Sequence, residues 1–297
     1  MKKFKINEHS FEAQDASILD TVIASDFALP HNCKDGRCKN CVVICKDSGK
    51  LFLACQTIPK AGQSFVCEGL SEFQLPPSKS IPSKILTVEE TGKFIEVTLK
   101  YSDKISINYL KGQYLNLQIG NATRSYSICA LDDERKLIKL LISPVANGVA
   151  TQFFMGNPVG QIIRIELPFG TFVYREPEII DALSVYVCTG SGIVPVLNTF
   201  DQENGIPENV RVYWGIRYNC SKVQEIVKRY PSNLITFVSQ EQTASNLEPG
   251  RVSFSKIQEL ERVVAWYLVG NPDMIEEFSS KIEKLNKNNK IYKDPFC

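Results

Sequence analysis

Three rhythms of apolar and polar residues follow one another along the chain. In the first, short alternating runs at residues 3–6 and 41–44 predict strands. Between them residues 17–26 have helical spacing, with Ile18, Val22 and Ile23 on one face and Ser17 placed to cap. Residues 74–82 then hold three prolines among small polar residues and read as an extended linker. Beyond it, alternating runs at 94–99, 114–119 and 162–167 predict an antiparallel barrel or sandwich. From Ala182 the rhythm changes again: short apolar strands at 184–188, 210–214, 234–238 and 266–269 alternate with helix-length segments. Those segments are 195–203, 221–229, 253–261 and 272–285, the pattern of a parallel doubly wound sheet. The expected architecture is multidomain α+β, with domains at 1–74, 83–178 and 179–297.

Composition narrows the function classes. With 34 basic and 33 acidic residues the net charge is +1, and that balance argues against nucleic acid as a partner. No run approaches roughly 18 uninterrupted apolar residues, so no membrane helix is expected. The opening Met1-Lys2-Lys3-Phe4-Lys5-Ile6 turns polar at Asn7-Glu8-His9 and lacks a secretory signal's apolar core. A cytoplasmic protein is expected, its ten cysteines reduced unless they bind metal. With only His9 and His31 present, histidine acid–base chemistry and a His-rich zinc site are improbable.

The sharpest motif is Cys33-Lys34-Asp35-Gly36-Arg37-Cys38-Lys39-Asn40-Cys41. Its C-x4-C-x2-C spacing, with a later fourth cysteine, is that of plant-type 2Fe–2S sites. Gly36 gives the loop the backbone freedom that wrapping a cluster requires. Zinc ribbons instead pair two short knuckles, which this segment lacks. Cys45, Cys55 and Cys67 compete for the fourth place. Residues 1 to about 73 resemble the plant-type ferredoxin domain, a β-grasp fold. That resemblance implies ligands Cys33, Cys38, Cys41 and, through the family's Leu-x-Cys, Cys55. Two departures are Lys39, where many members have glycine, and the short interval of 13 residues between Cys41 and Cys55.

Arg124-Ser125-Tyr126-Ser127 ends a β run, and Gly148-Val149-Ala150-Thr151 opens a helix where backbone N–H groups favour phosphate. Leu167-Pro168-Phe169-Gly170-Thr171-Phe172 follows. In this order the three segments look like the FAD domain of the ferredoxin–NADP reductase superfamily. The resemblance implies that Arg124 holds the FAD pyrophosphate, Tyr126 stacks on the ring and Ser127 lies near flavin N5. It places Ser125, Gly148, Val149 and Thr151 among the FAD-binding residues.

Thr189-Gly190-Ser191-Gly192-Ile193-Val194-Pro195 joins a strand to a helix, a turn that lets backbone approach a pyrophosphate. Arg217 ends the next strand, and Gly270-Asn271-Pro272-Asp273-Met274 ends a later one. These positions resemble the superfamily's NAD(P) domain, which implies nucleotide contacts from Thr189, Gly190, Gly192, Arg217, Gly270, Pro272 and Met274. Val269 stands where the family has cysteine beside the nicotinamide. The tail resembles endings that bring a terminal aromatic to the flavin, making Phe296 a catalytic candidate beside Tyr126 and Ser127. No acidic residue follows the second strand to select NAD, and Lys222 is placed to tolerate a 2′-phosphate. The domain order favours NADH through the resemblance.

The whole resembles ferredoxin–FAD–NAD(P)H reductases, both those of multicomponent oxygenases and the CDP-6-deoxy-glucoseen reductases. It implies a monomeric enzyme that takes hydride from NADH and passes single electrons through FAD and a 2Fe–2S cluster to a dehydratase or an oxygenase. The competing class is a redox carrier or sensor without turnover, motivated by Val269 and the missing acidic residue.

Overall fold

The computed structural model describes residues 1–31, 34–36, 39–67, 69–72, 74–173, 182–200, 205–240, 246–258, 260–285 and 289–296. Strands β1 (Lys2–Ile6), β2 (His9–Ala13), β4 (Val42–Cys45), β5 (Leu51–Leu53) and β6 (Ser64–Val66) form a sheet ordered β2-β1-β6-β4-β5. Only β1 and β6 run parallel, and β3 (Phe27–Ala28) pairs separately with β7 (Ser71–Glu72). Helix α1 (Ile18–Ile23) starts where Ser17 Oγ accepts from the Asp20 amide at 3.1 Å. Its Ile18, Leu19 and Val22 pack on the sheet's Phe4, Ile6, Phe11 and Phe65, the arrangement of a β-grasp.

The second unit is a curled antiparallel sheet. Its strands are β8 (Lys79–Thr91), β9 (Phe94–Lys100), β10 (Tyr114–Ile119), β11 (Ala122–Ser127), β12 (Ala130–Asp132), β13 (Leu137–Ile142) and β14 (Ile162–Phe169). They lie in the order β11-β10-β14-β8-β9-β13-β12, helix α2 (Val149–Met155) packs against β10, and β11 comes round against β13. β8 corrects the linker reading. Residues 79–82 belong to the strand, because Ile81, Ser83 and Ile85 alternate into the barrel. Pro82 is tolerated there because this stretch of β8 has β14 as its neighbour and β9 joins only at Lys84. The connecting segment is therefore 74–78.

The third unit is a parallel sheet ordered β18-β17-β16-β15-β19-β20. It comprises β15 (Leu183–Thr189), β16 (Val210–Ile216), β17 (Leu234–Val238), β18 (Glu248–Pro249), β19 (Val263–Gly270) and β20 (Lys290–Pro295). Along β15 successive residues feed opposite faces: Leu183, Val185 and Val187 join one core, Tyr186 and Cys188 the other. Helices α3 (Ile193–Thr199), α4 (Ser221–Arg229) and α5 (Pro272–Leu285) cover the sheet. A fourth helix, expected at 253–261, is instead two short 3-10 turns at Phe254–Lys256 and Leu260–Arg262. Phe254 is drawn onto Trp266 at 5.7 Å, and the Ser253 and Ser255 hydroxyls bond each other at 3.2 Å. Tertiary packing and side-chain hydrogen bonding both compete with a regular helix there. Part of the expected helix 195–203 and the expected boundary at 178/179 lie outside the described residues.

Barrel and parallel sheet share a core. Phe94, Leu141 and Phe172 enter the same apolar cluster as Val194, Val196 and Tyr267. Buried Asn198 on α3 brackets the junction: its Oδ1 accepts from Gly112 N at 2.9 Å, and its Nδ2 donates to Cys129 O at 3.2 Å. Lys222 Nζ pairs with Glu96 of β9 at 3.0 Å.

Candidate functional site

The cysteine loop is built between β3 and β4 and closes on the short 3-10 turn after β5. Cys41 is buried ahead of β4, Cys55 lies half-buried in that turn, and their sulfurs stand 3.3 Å apart. A thiol pair this close suits thiolate ligation of one metal centre. Cys45 and Cys67 lie with Cys41 in the domain's apolar core, and the backbone of Cys67 is held by Asn7 through bonds of 3.0 and 3.1 Å. Cys33 and Cys38 lie outside the described residues. Gln56 ties the loop to the turn, its Nε2 donating to Lys34 O at 3.0 Å and lying 3.7 Å from Cys55 Sγ.

Strand β11 is an edge of the barrel. In register Arg124 faces Leu117 and Tyr126 faces Leu115, so both side chains lie on the face that carries the core. Ser125 points the other way and donates to Asn116 Oδ1 at 2.7 Å; only its backbone shares the strand with Arg124 and Tyr126. Burial pushes the Tyr126 hydroxyl up to about 12, against the opposing pull of Arg124, so the ring is neutral at physiological pH. A neutral ring and a guanidinium two residues apart on one face suit a flat aromatic ligand with an anionic tail.

Gly148 caps α2, whose first turn carries Val149 and Thr151. Thr151 Oγ1 accepts from Val145 N at 2.9 Å, which leaves its proton free to donate.

At the carboxyl ends of β15 and β19 two turns pack into each other. A Cβ on Gly192 would lie 2.9 Å from Val269 O. Gly270 adopts φ +111°, and a Cβ there would meet Thr189 Oγ1 at 2.5 Å. Thr189 Oγ1 accepts from Asn271 N at 3.0 Å, and Trp214 Nε1 donates to Gly190 O at 2.8 Å. The result is a closely packed backbone cradle at the carboxyl ends of the two central strands, where open α/β folds bind nucleotides. Val269 is wholly buried in the core, so the position is filled by packing.

Asn271 was not among the expected site residues. Its Oδ1 accepts from Asp273 N at 2.8 Å and Met274 N at 3.2 Å, capping α5 with Pro272 in the first turn. The Asn-Pro pair ahead of a helical pattern was a legible capping signal. Arg217 is exposed beyond β16. Phe296 is half-buried and donates its amide to Gly270 O at 2.8 Å, which sets it beside the cradle as an extension of β20.

Lys222 departs from expectation. Its side chain is 15% exposed, and its ammonium is bound by Glu96 at 3.0 Å and Glu225 at 3.1 Å. Burial, which alone would lower its pKa, is outweighed by those two carboxylates, and the pKa is raised. The group is engaged at the domain junction by these two carboxylates.

Three family models match in succession. They are a 2Fe-2S iron-sulfur cluster binding domain over residues 4–60, an oxidoreductase FAD-binding domain over 83–174 and an oxidoreductase NAD-binding domain over 186–280. The chain is 27% identical to Protein RfbI of Salmonella typhimurium, covering 100% of this chain and 96% of that protein. It is 30% identical to the CDP-6-deoxy-L-threo-D-glycero-4-hexulose-3-dehydrase reductase of Yersinia pseudotuberculosis, over 68% of this chain and 66% of that one. A crystal structure of the Amycolatopsis cytochrome P450 reductase GcoB superposes with a TM-score of 0.73 at 20% identity, covering 100% of this chain and 99% of that one. The cofactors are therefore a 2Fe–2S cluster, FAD and a nicotinamide nucleotide, and the arrangement is that of an enzyme rather than of a carrier without turnover. The chain belongs to the ferredoxin–FAD–NAD(P)H reductase family, whose members pass electrons through FAD and a 2Fe–2S cluster to a partner oxidoreductase.

Proposed function

We propose that this reductase draws on NADH and delivers its electrons to a dehydrase acting on a CDP-linked deoxyhexulose. Arg124, Tyr126, Ser127, Gly148, Val149 and Thr151 hold FAD, with Ser125 contributing backbone. Cys33, Cys38, Cys41 and Cys55 hold the cluster. The cradle of Thr189, Gly190, Gly192 and Gly270, with Arg217, Pro272 and Met274 around it, receives the nucleotide, and Phe296 flanks the nicotinamide side of the flavin.

When bound, these groups supply hydride acceptance and its division into single electrons; the protein's residues position them and exclude water. Arg124 neutralises the pyrophosphate, Tyr126 covers a ring face, and the Thr151 hydroxyl donates to a phosphate oxygen. The NADH assignment follows the domain order, and the Lys222–Glu96 pair supports it by engaging one of the two cations just past the second strand, Arg217 being the other. The acceptor assignment is supported by the 30% identity to the Yersinia dehydrase reductase.

The test mixes the purified holoprotein anaerobically with NADH or NADPH and follows flavin and cluster absorbance, then adds either the dehydrase named by that relative or a dioxygenase component. Rapid bleaching by NADH and turnover with the dehydrase are expected. Preference for NADPH, or turnover with the dioxygenase alone, would overturn the respective assignment. A monomer is expected by sedimentation.

A further inference from the structure

The cysteine loop is clasped from two sides. Lys34 Nζ lies 5.5 Å from the centre of the Phe169 ring on the barrel, and Asn40 Nδ2 donates to Lys293 O of β20 at 3.1 Å. The loop thus faces the junction of barrel and parallel sheet. Phe169 stacks on Tyr114 with ring centres 5.7 Å apart and planes 28° from parallel. In register Tyr114 is the neighbour of Phe169 on one side and of Ser127 on the other. Both residues are buried, at 6% and 9% exposure, yet neither belongs to the barrel's apolar core. The turn after Phe169 is shaped around the pair: a Cβ on Gly170 would lie 2.9 Å from the Tyr114 ring, and Gln113 Nε2 holds Gly170 O at 3.0 Å. A continuous row therefore runs from Ser127, through Tyr114 and Phe169, to Lys34 and by way of Gln56 to Cys55.

We propose that Tyr114 and Phe169 are the bridge over which electrons pass from flavin to cluster, and that Lys34 seats the cysteine loop on it. Electron tunnelling weakens steeply with every gap in the packed atoms between donor and acceptor. Two stacked rings close such a gap with atoms in van der Waals contact. The lysine adds a cation over a ring face, which holds the loop without demanding a large interface. A hydride brings the flavin two electrons and a proton. Two successive single transfers over the bridge, each reducing one ferric iron to ferrous and each followed by passage of that electron to the partner, restore oxidised flavin and release the proton to solvent. Phe169 and Lys34 are positioning residues in this scheme.

The inference rests on the flavin and cluster assignments proposed above, and the experiment separates the two. Full-length holoprotein, wild type and Phe169→Leu, is checked for FAD and iron content and mixed anaerobically with NADH, with flavin and cluster followed at separate wavelengths. Wild type lacking FAD or iron overturns the functional reading itself. With both present, Phe169→Leu is expected to bleach flavin at the wild-type rate and to reduce its cluster roughly tenfold more slowly. Phe169→Tyr is expected to restore cluster reduction. Cluster reduction at the wild-type rate in Phe169→Leu overturns the bridge, as does a loss that Phe169→Tyr fails to restore, which marks Phe169 as packing alone. The surface variant Lys34→Ala guards against a misfolded Phe169 variant. It is expected to slow cluster reduction and to speed amide exchange at residues 34–36, with flavin reduction unchanged. Wild-type exchange together with wild-type cluster reduction in Lys34→Ala overturns the seating role.

Discussion

The 3.3 Å approach of Cys41 and Cys55 favours Cys55 among the thiols that sequence spacing left in competition. Cys45 sits on β4 and Cys67 just past β6, each with its side chain in the core. Cys55→Ser is expected to bleach or shift the cluster spectrum, whereas Cys45→Ser and Cys67→Ser keep it; a silent Cys55→Ser with bleaching in Cys67→Ser would reverse the assignment. Arg124 carries a second test. Charge-assisted hydrogen bonds contribute about 1.5–3 kcal/mol each, so Arg124→Ala should weaken FAD binding roughly ten- to a hundredfold. The cluster spectrum should not change. Equilibrium dialysis of FAD measures the effect, and undiminished retention would leave Arg124 a plain strand residue.

Between elements, the junction of barrel and parallel sheet rests on few polar groups. Asn198 is 8% exposed and serves Gly112 N and Cys129 O together, with Tyr109 OH at 3.3 Å. Asn198→Ala leaves those backbone groups unpaired in a buried place, which should cost roughly 2–3 kcal/mol in urea unfolding. A loss under about 0.5 kcal/mol, the size of an ordinary surface change, would show that water replaces the side chain. The Lys222–Glu96 pair adds a pH signature. Because the folded pKa of Lys222 is raised, the pair's contribution is complete below lysine's ordinary value of about 10.4 and is lost as pH climbs through the folded value. Wild type should therefore lose stability more steeply above that pH than Glu96→Gln, read from melting temperatures across the alkaline range. Parallel curves would remove the pair from the account.

Across the whole molecule, the hydride acceptor lies in the middle of the chain and the one-electron carrier at one end, joined by the short segment 74–78. Cys41→Ser protein confirmed to hold FAD should still pass electrons from NADH to ferricyanide, an artificial acceptor for flavins. Reduction of cytochrome c and of the native partner should fall steeply. Partner turnover near wild type would show that electrons leave without the cluster. No helix among the described residues is long and apolar enough to cross a membrane.

The sequence by itself determined the three-part architecture, the longer strands of each part and, through motif resemblance, the cofactors, because alternation and helical spacing are local properties and the cysteine and glycine motifs are contiguous. Short strands such as β2, β5, β12 and β18 carried too little pattern to be read. Helix α4 at Ser221–Arg229 and helix α5 at Pro272–Leu285 fall where periodicity placed them. Tertiary structure decided the matters that depend on partners distant in the chain. Residues 79–82 became strand because β14 offers a pairing edge, and 253–261 lost its helix because Trp266 claims Phe254. Lys222 passed from phosphate candidate to structural cation because Glu96, 126 positions earlier in the chain, faces it across the domain junction. The row from Ser127 to Lys34 joins three strands and a loop whose adjacency no local pattern encodes: cross-strand register places Tyr114 between Ser127 and Phe169, and only the folded chain sets a cysteine loop on top.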